Sequence, residues 1–278
     1  MLTLYHTYAK KSTKIPNQLC YNINMRTYIV GNWKMNFTIG ESSIYLHKLL
    51  KRIPVSRGIQ IAVAPSLIAL QPLSLQLDRK KIKLCAQNCC ARDFGAYTGE
   101  TAVAQLRGLV DYCIVGHSER RYVFNETDKD IRDKVSACVR NNITAILCIG
   151  ETESERTFGE TADVLRDQLT SGLSDITKED LDKIIIAYEP VWAISSVKGA
   201  HIAVPDDISA SIDLIRKHLK DTFGKSAEDV PVLYGGSVNP SNCGAYLTIP
   251  GVNGLLVGGS SLIADQFIDI IDIAKRVK

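Results

Sequence analysis

The feature that most narrows the fold of this 278-residue chain is an eightfold alternation of short β-branched runs with helix-periodic segments. The runs fall at residues 28–30, 59–64, 81–86, 112–115, 144–149, 184–187, 230–234 and 254–257. Between them, residues 42–52, 128–140, 163–173, 206–223 and 263–276 carry apolar side chains at helical spacing. Ile208, Ile212, Ile215 and Leu219 form one such stripe, with Lys217 and Lys220 off it. The run Ile184-Ile-Ile-Ala187 is apolar without alternation, as a strand covered on both faces of a parallel sheet should be. Strand–helix alternation implies parallel strands with helical crossovers, and eight units is the number that closes into a barrel. The chain is therefore predicted to be α/β, a single-domain (β/α)8 barrel over residues 26–278. An open doubly wound sheet is the competing architecture, weakened because no Gly-x-Gly-x-x-Gly follows the first run.

Composition excludes several alternatives. The net charge of +3 rests on Lys10, Lys11 and Lys14 in an acid-free N-terminal segment, so the body is neutral. A neutral body argues against a nucleic-acid or anionic-membrane partner. The most apolar window, residues 59–77, is broken by Pro65, Pro72 and Gln60, Gln71 and Gln76, and makes a poor spanning helix. Residues 1–25 lack the apolar core of a secretory signal. They are read as an N-terminal extension, disordered or produced by an upstream start with Met25 as the natural one. Eight cysteines occur without a Cys-x-x-Cys pair. Scattered in this way, they read as reduced, small hydrophobes in a cytoplasmic protein.

In a closed barrel the functional residues sit just past the C-terminal ends of the strands. Those positions hold Asn32 and Lys34, His117 and Glu119, Glu189, Gly235-Gly236-Ser237, and Gly258-Gly259. Chosen by location alone, they supply a cation, an imidazole, a carboxylate and two glycine-rich turns able to present N–H groups to an anion. Glu189 ends an apolar strand and is followed by Pro190, Trp192 and Ile194. That setting suits a general base shielded from water, although taken alone it also fits a solvated strand-to-loop glutamate. With no metal-ligand cluster, P-loop or nicotinamide fingerprint in the sequence, neither metal nor cofactor is expected.

Six segments carry a resemblance to a known family. They are Gly31-Asn-Trp-Lys-Met-Asn36, Gly116-His-Ser-Glu-Arg-Arg121, Cys148-Ile-Gly-Glu151, Ala187-Tyr-Glu-Pro-Val-Trp-Ala-Ile194, Tyr234-Gly-Gly-Ser-Val238 and Gly254-Leu-Leu-Val-Gly-Gly259. In order and spacing they resemble triosephosphate isomerases, from about Thr27 to the C-terminus. The resemblance implies a TIM barrel that interconverts D-glyceraldehyde 3-phosphate and dihydroxyacetone phosphate through an enediol(ate), in glycolysis and gluconeogenesis. It implies Glu189 as the base, with Ile194 and Leu256 as apolar clamps that desolvate it. It implies His117 as a neutral imidazole donating to substrate oxygens, beside a short helix capped by Ser118. Lys34 would balance the enediolate charge, Asn32 would hydrogen-bond the substrate, and Glu119 would order Lys34 and His117. The phosphate would rest on N–H groups of Ser195, Ser237, Gly258 and Gly259. Residues 87–100 resemble the family's interdigitating loop, which implies a homodimer with Thr98 approaching Asn32 and Lys34 of a second copy.

One stretch departs from the family pattern. After Ile194 the family usually reads Gly-Thr-Gly-Lys, whereas this chain has Ser195-Ser-Val-Lys198, then Gly199 and Ala200. Residues 201–204 also lengthen the run to Pro205. If the closed loop needs positive φ at either lost glycine, the cost is about 1–2 kcal/mol per residue. A related barrel isomerase with altered sugar-phosphate preference, owing to residues 195–204, is therefore the alternative reading. An idle scaffold would require loss of a chemical residue, and Asn32, Lys34, His117 and Glu189 are all present.

Overall fold

The eight β-branched runs become eight strands: β1 (Thr27–Asn32), β2 (Ile59–Ala64), β3 (Lys83–Ala86), β4 (Tyr112–Val115), β5 (Thr144–Ile149), β6 (Ile184–Tyr188), β7 (Val232–Tyr234) and β8 (Gly254–Val257). In the computed structural model they pair in sequence order, all parallel, and β8 returns to β1 to close the barrel. The structure describes residues 26–194 and 202–277; the expected extension over residues 1–25 and the expected phosphate contact Ser195 lie outside them.

Among the described residues ten helices wrap the barrel. They are α1 (Ile39–Arg52), α2 (Leu67–Ser74), α3 (Val103–Leu106), α4 (Ser118–Tyr122), α5 (Asp128–Arg140), α6 (Glu153–Thr157), α7 (Thr161–Gly172), α8 (Pro205–Phe223), α9 (Cys243–Thr248) and α10 (Ala264–Val277). Helix starts follow local chemistry. Thr38 Oγ1 accepts from the Glu41 N–H while Glu41 returns a carboxylate oxygen to the Thr38 N–H, a reciprocal cap for α1. Thr127 and Asp130 do the same for α5. Helix α8 opens behind Val204, which makes no side-chain cap, but with Pro205 preset for the first turn and Asp206 and Asp207 on the favourable end of its dipole.

Strand limits shift from the sequence reading for identifiable reasons. β1 runs on to Asn32 because Gly31 and Asn32 still pair with Val63 and Ala64. β3 begins late because the Lys81 and Ile82 N–H groups turn back onto the Asp78 carbonyl. β7 begins at Val232, since Pro231 has no N–H to give the ladder and contributes only its carbonyl, to Ile186 N–H.

The unbroken apolar character of these strands is explained by two cores. Val30, Ile114, Ile146, Cys148, Ile185, Leu233 and Leu256 fill the barrel interior. Their strand neighbours, such as Ala145, Leu147 and Ile149 on β5, face the helical layer instead. Both faces are thus buried, so the period-2 pattern of a half-exposed sheet is missing. Three of the thiols that look scattered in the sequence, Cys89, Cys113 and Cys138, meet in the outer layer.

The end of the barrel away from the C-terminal strand ends is tied by a buried arginine. Arg216 of α8 donates through Nη1 to the Val230 carbonyl (2.6 Å) and through Nη2 to the Gly251 carbonyl (2.7 Å) and Asn253 Oδ1. Asn253 Oδ1 in turn accepts from Val232 N–H (2.9 Å), so one cation organises the entries to β7 and β8. Arg216→Met keeps much of the apolar stem and strands these acceptors. It is expected to lower stability by about 3 kcal/mol through lost charge-assisted bonds and unsatisfied buried carbonyls. The check is a shift in urea midpoint at unchanged slope, with KM unaltered.

Candidate active site

The strand ends converge on a cavity of about 260 Å³ lined by Asn32, Lys34, His117, Glu189, Ile194, Ser237, Leu256, Gly258 and Gly259. Its volume sits just below the roughly 300 Å³ lower end for drug-sized ligands, which matches a small substrate. Every site residue expected from the sequence lines it, apart from Glu119, Thr98 and the undescribed Ser195.

Lys34 reaches the cavity through an unusual backbone. Its φ of 51° is costly for a residue with a Cβ. Two side chains hold it there: Asn32 Oδ1 accepts from the Lys34 N–H (3.0 Å), and Gln87 Nε2 donates to the Lys34 carbonyl (2.7 Å) and to Ala64 (2.8 Å). The ammonium then donates to Glu119 Oε1 at 2.6 Å. Gln87 was not singled out from the sequence; it is legible only as the first residue of the segment 87–100.

His117 is itself the cap of α4, correcting the expectation that Ser118 would be. Its Nδ1 accepts from the Glu119 N–H at 3.2 Å. An imidazolium would set an Nδ1–H against that N–H, two donors face to face, so the geometry accommodates the neutral ring with its proton on Nε2. Nε2 lies 3.2 Å from Glu189 Oε1. Ser118, released from capping, donates its backbone N–H to Glu189 Oε2 at 3.1 Å. Glu119 thus touches both groups it was expected to order, Lys34 with its carboxylate and His117 with its backbone.

Glu189 is 2% exposed and fits only because two neighbours lack side chains. A Cβ on Gly150 would come within 1.9 Å of the Glu189 carbonyl oxygen, and one on Gly235 within 2.9 Å of Glu189 Cγ and 3.5 Å of Leu256 Cβ. Ile194 and Leu256 are both buried beside the cavity.

A second buried carboxylate was missed. Glu151 is fully buried and accepts from Trp192 Nε1 (2.9 Å) and from the Tyr188 hydroxyl (3.1 and 3.2 Å). Burial pushes its carboxyl above the usual range, with the Trp192 hydrogen bond opposing. The Arg156 guanidinium lies 4.4 Å over the Trp192 ring and 3.8 Å from Glu151. The only sequence signal was the segment Cys148-Ile-Gly-Glu151, which was noticed but given no role.

The expected phosphate groups are placed unevenly. Gly258 and Gly259 line the cavity. Ser237 also lines it, but its N–H (3.0 Å) and its hydroxyl (2.7 Å) both donate to the Ala193 carbonyl, so the expected anion donor is engaged here by the chain itself. Thr98 is exposed on the segment 87–100 and does not line the cavity.

Comparison with known proteins follows from this geometry. The family model described as triosephosphate isomerase matches residues 27–274. Similar curated proteins include the triosephosphate isomerase of Streptococcus mutans, 38% identical over 255 residues, covering 91% of this chain and 100% of that one. That of Clostridium perfringens is 40% identical over 251 residues, covering 89% and 100%. The crystal structure of triosephosphate isomerase from Bartonella henselae superposes with a TM-score of 0.81 at 37% identity, covering 90% of this chain and 100% of that chain.

Gly235→Ala tests the packing around Glu189. The added methyl must displace the carboxylate arm, and a misplacement near 1 Å costs about 10²-fold in turnover. Steady-state kinetics should show that fall in kcat while far-UV circular dichroism stays unchanged. An unaltered kcat would mean that Glu189 does not need this clearance.

Proposed function

The chain belongs to the triosephosphate isomerase family, and from that premise we propose how its own residues interconvert D-glyceraldehyde 3-phosphate and dihydroxyacetone phosphate. The enzyme is an aldose–ketose isomerase and the reaction a step of glycolysis, run in reverse in gluconeogenesis. A proton leaves one carbon, an enediol(ate) forms, and the proton is returned to the adjacent carbon. The pairing of a carboxylate base with a neutral imidazole is the established pattern of this family rather than a deduction from this chain.

In this reading Glu189 removes the carbon-bound proton and gives it back. The observation that carries it is the buried Glu189 carboxylate at the cavity wall, 3.2 Å from His117 Nε2. His117 donates its Nε2 proton toward the substrate oxygens, and its bond from Glu119 N–H keeps the other nitrogen an acceptor. Lys34 faces the charge that develops on those oxygens, and Asn32 hydrogen-bonds them. A preorganised donor of this kind is worth about 3–4 kcal/mol of barrier. Ile194 and Leu256 keep water from the base. Glu189 currently accepts from Ser118 N–H, so reaching the substrate means giving up that bond, a cost met by substrate binding. Gly258, Gly259, Ser237 and Ser195 take the phosphate, Ser237 after releasing Ala193.

We further propose a homodimer. Met35, after β1, and Phe94, after β3, are large apolar side chains left almost fully exposed, and Tyr97 is half exposed. Phe94 and Tyr97 also border a hollow of about 210 Å³ on the segment that resembles the family's dimer loop. A second copy covering them would remove a surface cost that a monomer keeps, and would bring Thr98 toward Asn32 and Lys34 of that copy. A cytoplasmic location accords with the pathway and with the seven described cysteines, all free thiols. Among the described residues no helix is long and apolar enough to cross a membrane. Residues 1–25 are proposed as an extension appended to the barrel over residues 26–278.

Two measurements test these readings. In an isomerase assay with glyceraldehyde 3-phosphate, Glu189→Asp should lose about 10²-fold or more in kcat with little change in KM, because the shortened arm misplaces the base. Glu189→Gln sets the background, and wild-type turnover no higher than that variant would sink the assignment. Light scattering should give a dimer mass, with specific activity falling on dilution; a fully active monomer would contradict the shared-site reading.

A further inference from the structure

Away from the catalytic cavity, three thiols that the isomerase chemistry does not use converge between the barrel and its helices. Cys89 leaves the end of β3, Cys113 lies on β4, and Cys138 projects from α5. Each is at most 2% exposed. Their three sulfurs all lie within 4.8 Å of one another, and those of Cys89 and Cys138 are 3.9 Å apart. Three elements distant in sequence therefore point sulfur at one place, a convergence that apolar packing alone does not require.

The donor set selects the ligand class. Thiolates favour soft ions over magnesium or calcium. An ion bound at about 2.3 Å by three coplanar sulfurs sets them about 4 Å apart, close to the 3.9 Å between Cys89 and Cys138 and inside the 4.8 Å that bounds all three pairs. We propose that Cys89, Cys113 and Cys138 form a three-thiolate site for a soft divalent d10 metal ion.

Charge bookkeeping supports a divalent occupant. Three coordinating thiolates bring three negative charges, so a divalent ion leaves one and a monovalent ion leaves two. Binding a divalent ion forms three metal–sulfur bonds and releases the thiol protons of the three cysteines to solvent. No electrons move, and the loaded site carries a single negative charge. A monovalent ion such as Cu(I) would leave an additional buried negative charge. The surroundings favour that single charge. Lys134, on the same helix as Cys138, donates from Nζ to Oδ1 of Asn88, the residue before Cys89, at 2.9 Å. The Glu126 carboxylate is paired with both Lys134 and Arg120. Zinc prefers a fourth ligand, whereas cadmium and mercury accept three thiolates more readily.

The test uses the full-length, reduced chain and Cd(II) as probe. Cadmium is added to the folded protein and, in parallel, during refolding, and thiolate-to-cadmium absorption in the ultraviolet is titrated. One equivalent per chain, release of thiol protons and a raised Tm are expected. Cys138→Ala and Cys113→Val should each abolish the one-equivalent band, while Cys90→Ser should keep it. The second variant holds volume nearly constant, in case alanine at position 138 loosens α5. Metal-free Cys138→Ala should isomerise substrate at the wild-type rate, separating this site from the catalytic one. A wild-type protein without the band by either route, or a band of equal stoichiometry in both cysteine variants, overturns the assignment.

Discussion

Closure of the sheet, completed where β8 pairs with β1 from Tyr28–Gly254 to Gly31–Val257, is the constraint on which everything else depends. Once eight parallel strands close, all their C-terminal ends must open at one mouth, and residues far apart in sequence are brought together without any contact of their own. Asn32, His117, Glu189 and Gly258 meet for that reason. Closure also dictates composition. Side chains pointing inward have a fixed volume to fill and those pointing outward a helical layer to meet, so both faces of every strand are apolar. Polar chemistry is thereby pushed to the strand ends, where carbonyls and N–H groups are no longer consumed by the ladder. The site is thus where the barrel's hydrogen bonding runs out.

Two carboxylates at that mouth show how position decides role. Glu151 and Glu189 are both almost wholly buried and close in space, for Val191, two residues after Glu189, bonds back to the Glu151 carbonyl. Glu151 is surrounded by the indole of Trp192 and the hydroxyl of Tyr188, fixed donors that leave it no access to the cavity. It serves to hold the turn that follows β6. Glu189 instead meets a backbone N–H at the start of a five-residue helix and the Nε2 of a histidine, and it lines the cavity. Its donors are ones it can exchange for a substrate. The same side chain is a strut in one setting and the proposed base in the other, and the donors around it and its access to the cavity make the difference.

Much of this was legible in the sequence because it follows from local pattern. The apolar runs marked the strands to within two residues at each end, and the strand-end rule selected Asn32, Lys34, His117, Glu119 and Glu189 before any geometry was known. What escaped depended on which way a group faces. His117 rather than Ser118 caps α4 because its ring can turn Nδ1 back onto the helix, and residue type alone favours serine for that place. Gln87 supports Lys34 from just past the end of β3, two strands away in the barrel, and no local periodicity links the two. Glu151 looked like one more acidic residue after a strand. The thiols are the clearest case: their spacing holds no motif, and Cys89, Cys113 and Cys138 become a cluster only when β3, β4 and α5 are packed.

The turn after β6 connects these parts. Val191–Ala193 is held at one side by Glu151 through Trp192, and at the other by Ser237, whose N–H and hydroxyl both donate to the Ala193 carbonyl. The same Ser237 N–H is the group proposed to receive the phosphate. It cannot serve both acceptors with good geometry, so anion binding and detachment of Ala193 are two sides of one exchange. The two bonds surrendered are worth about 1–3 kcal/mol net together, small against what a doubly charged phosphate gains from new charge-assisted bonds. In the proposed reading the balance therefore lies with the substrate, whose phosphate takes the Ser237 donors and frees the Ala193 carbonyl. That exchange sits in Ala193 and Ser237, where the family pattern is intact.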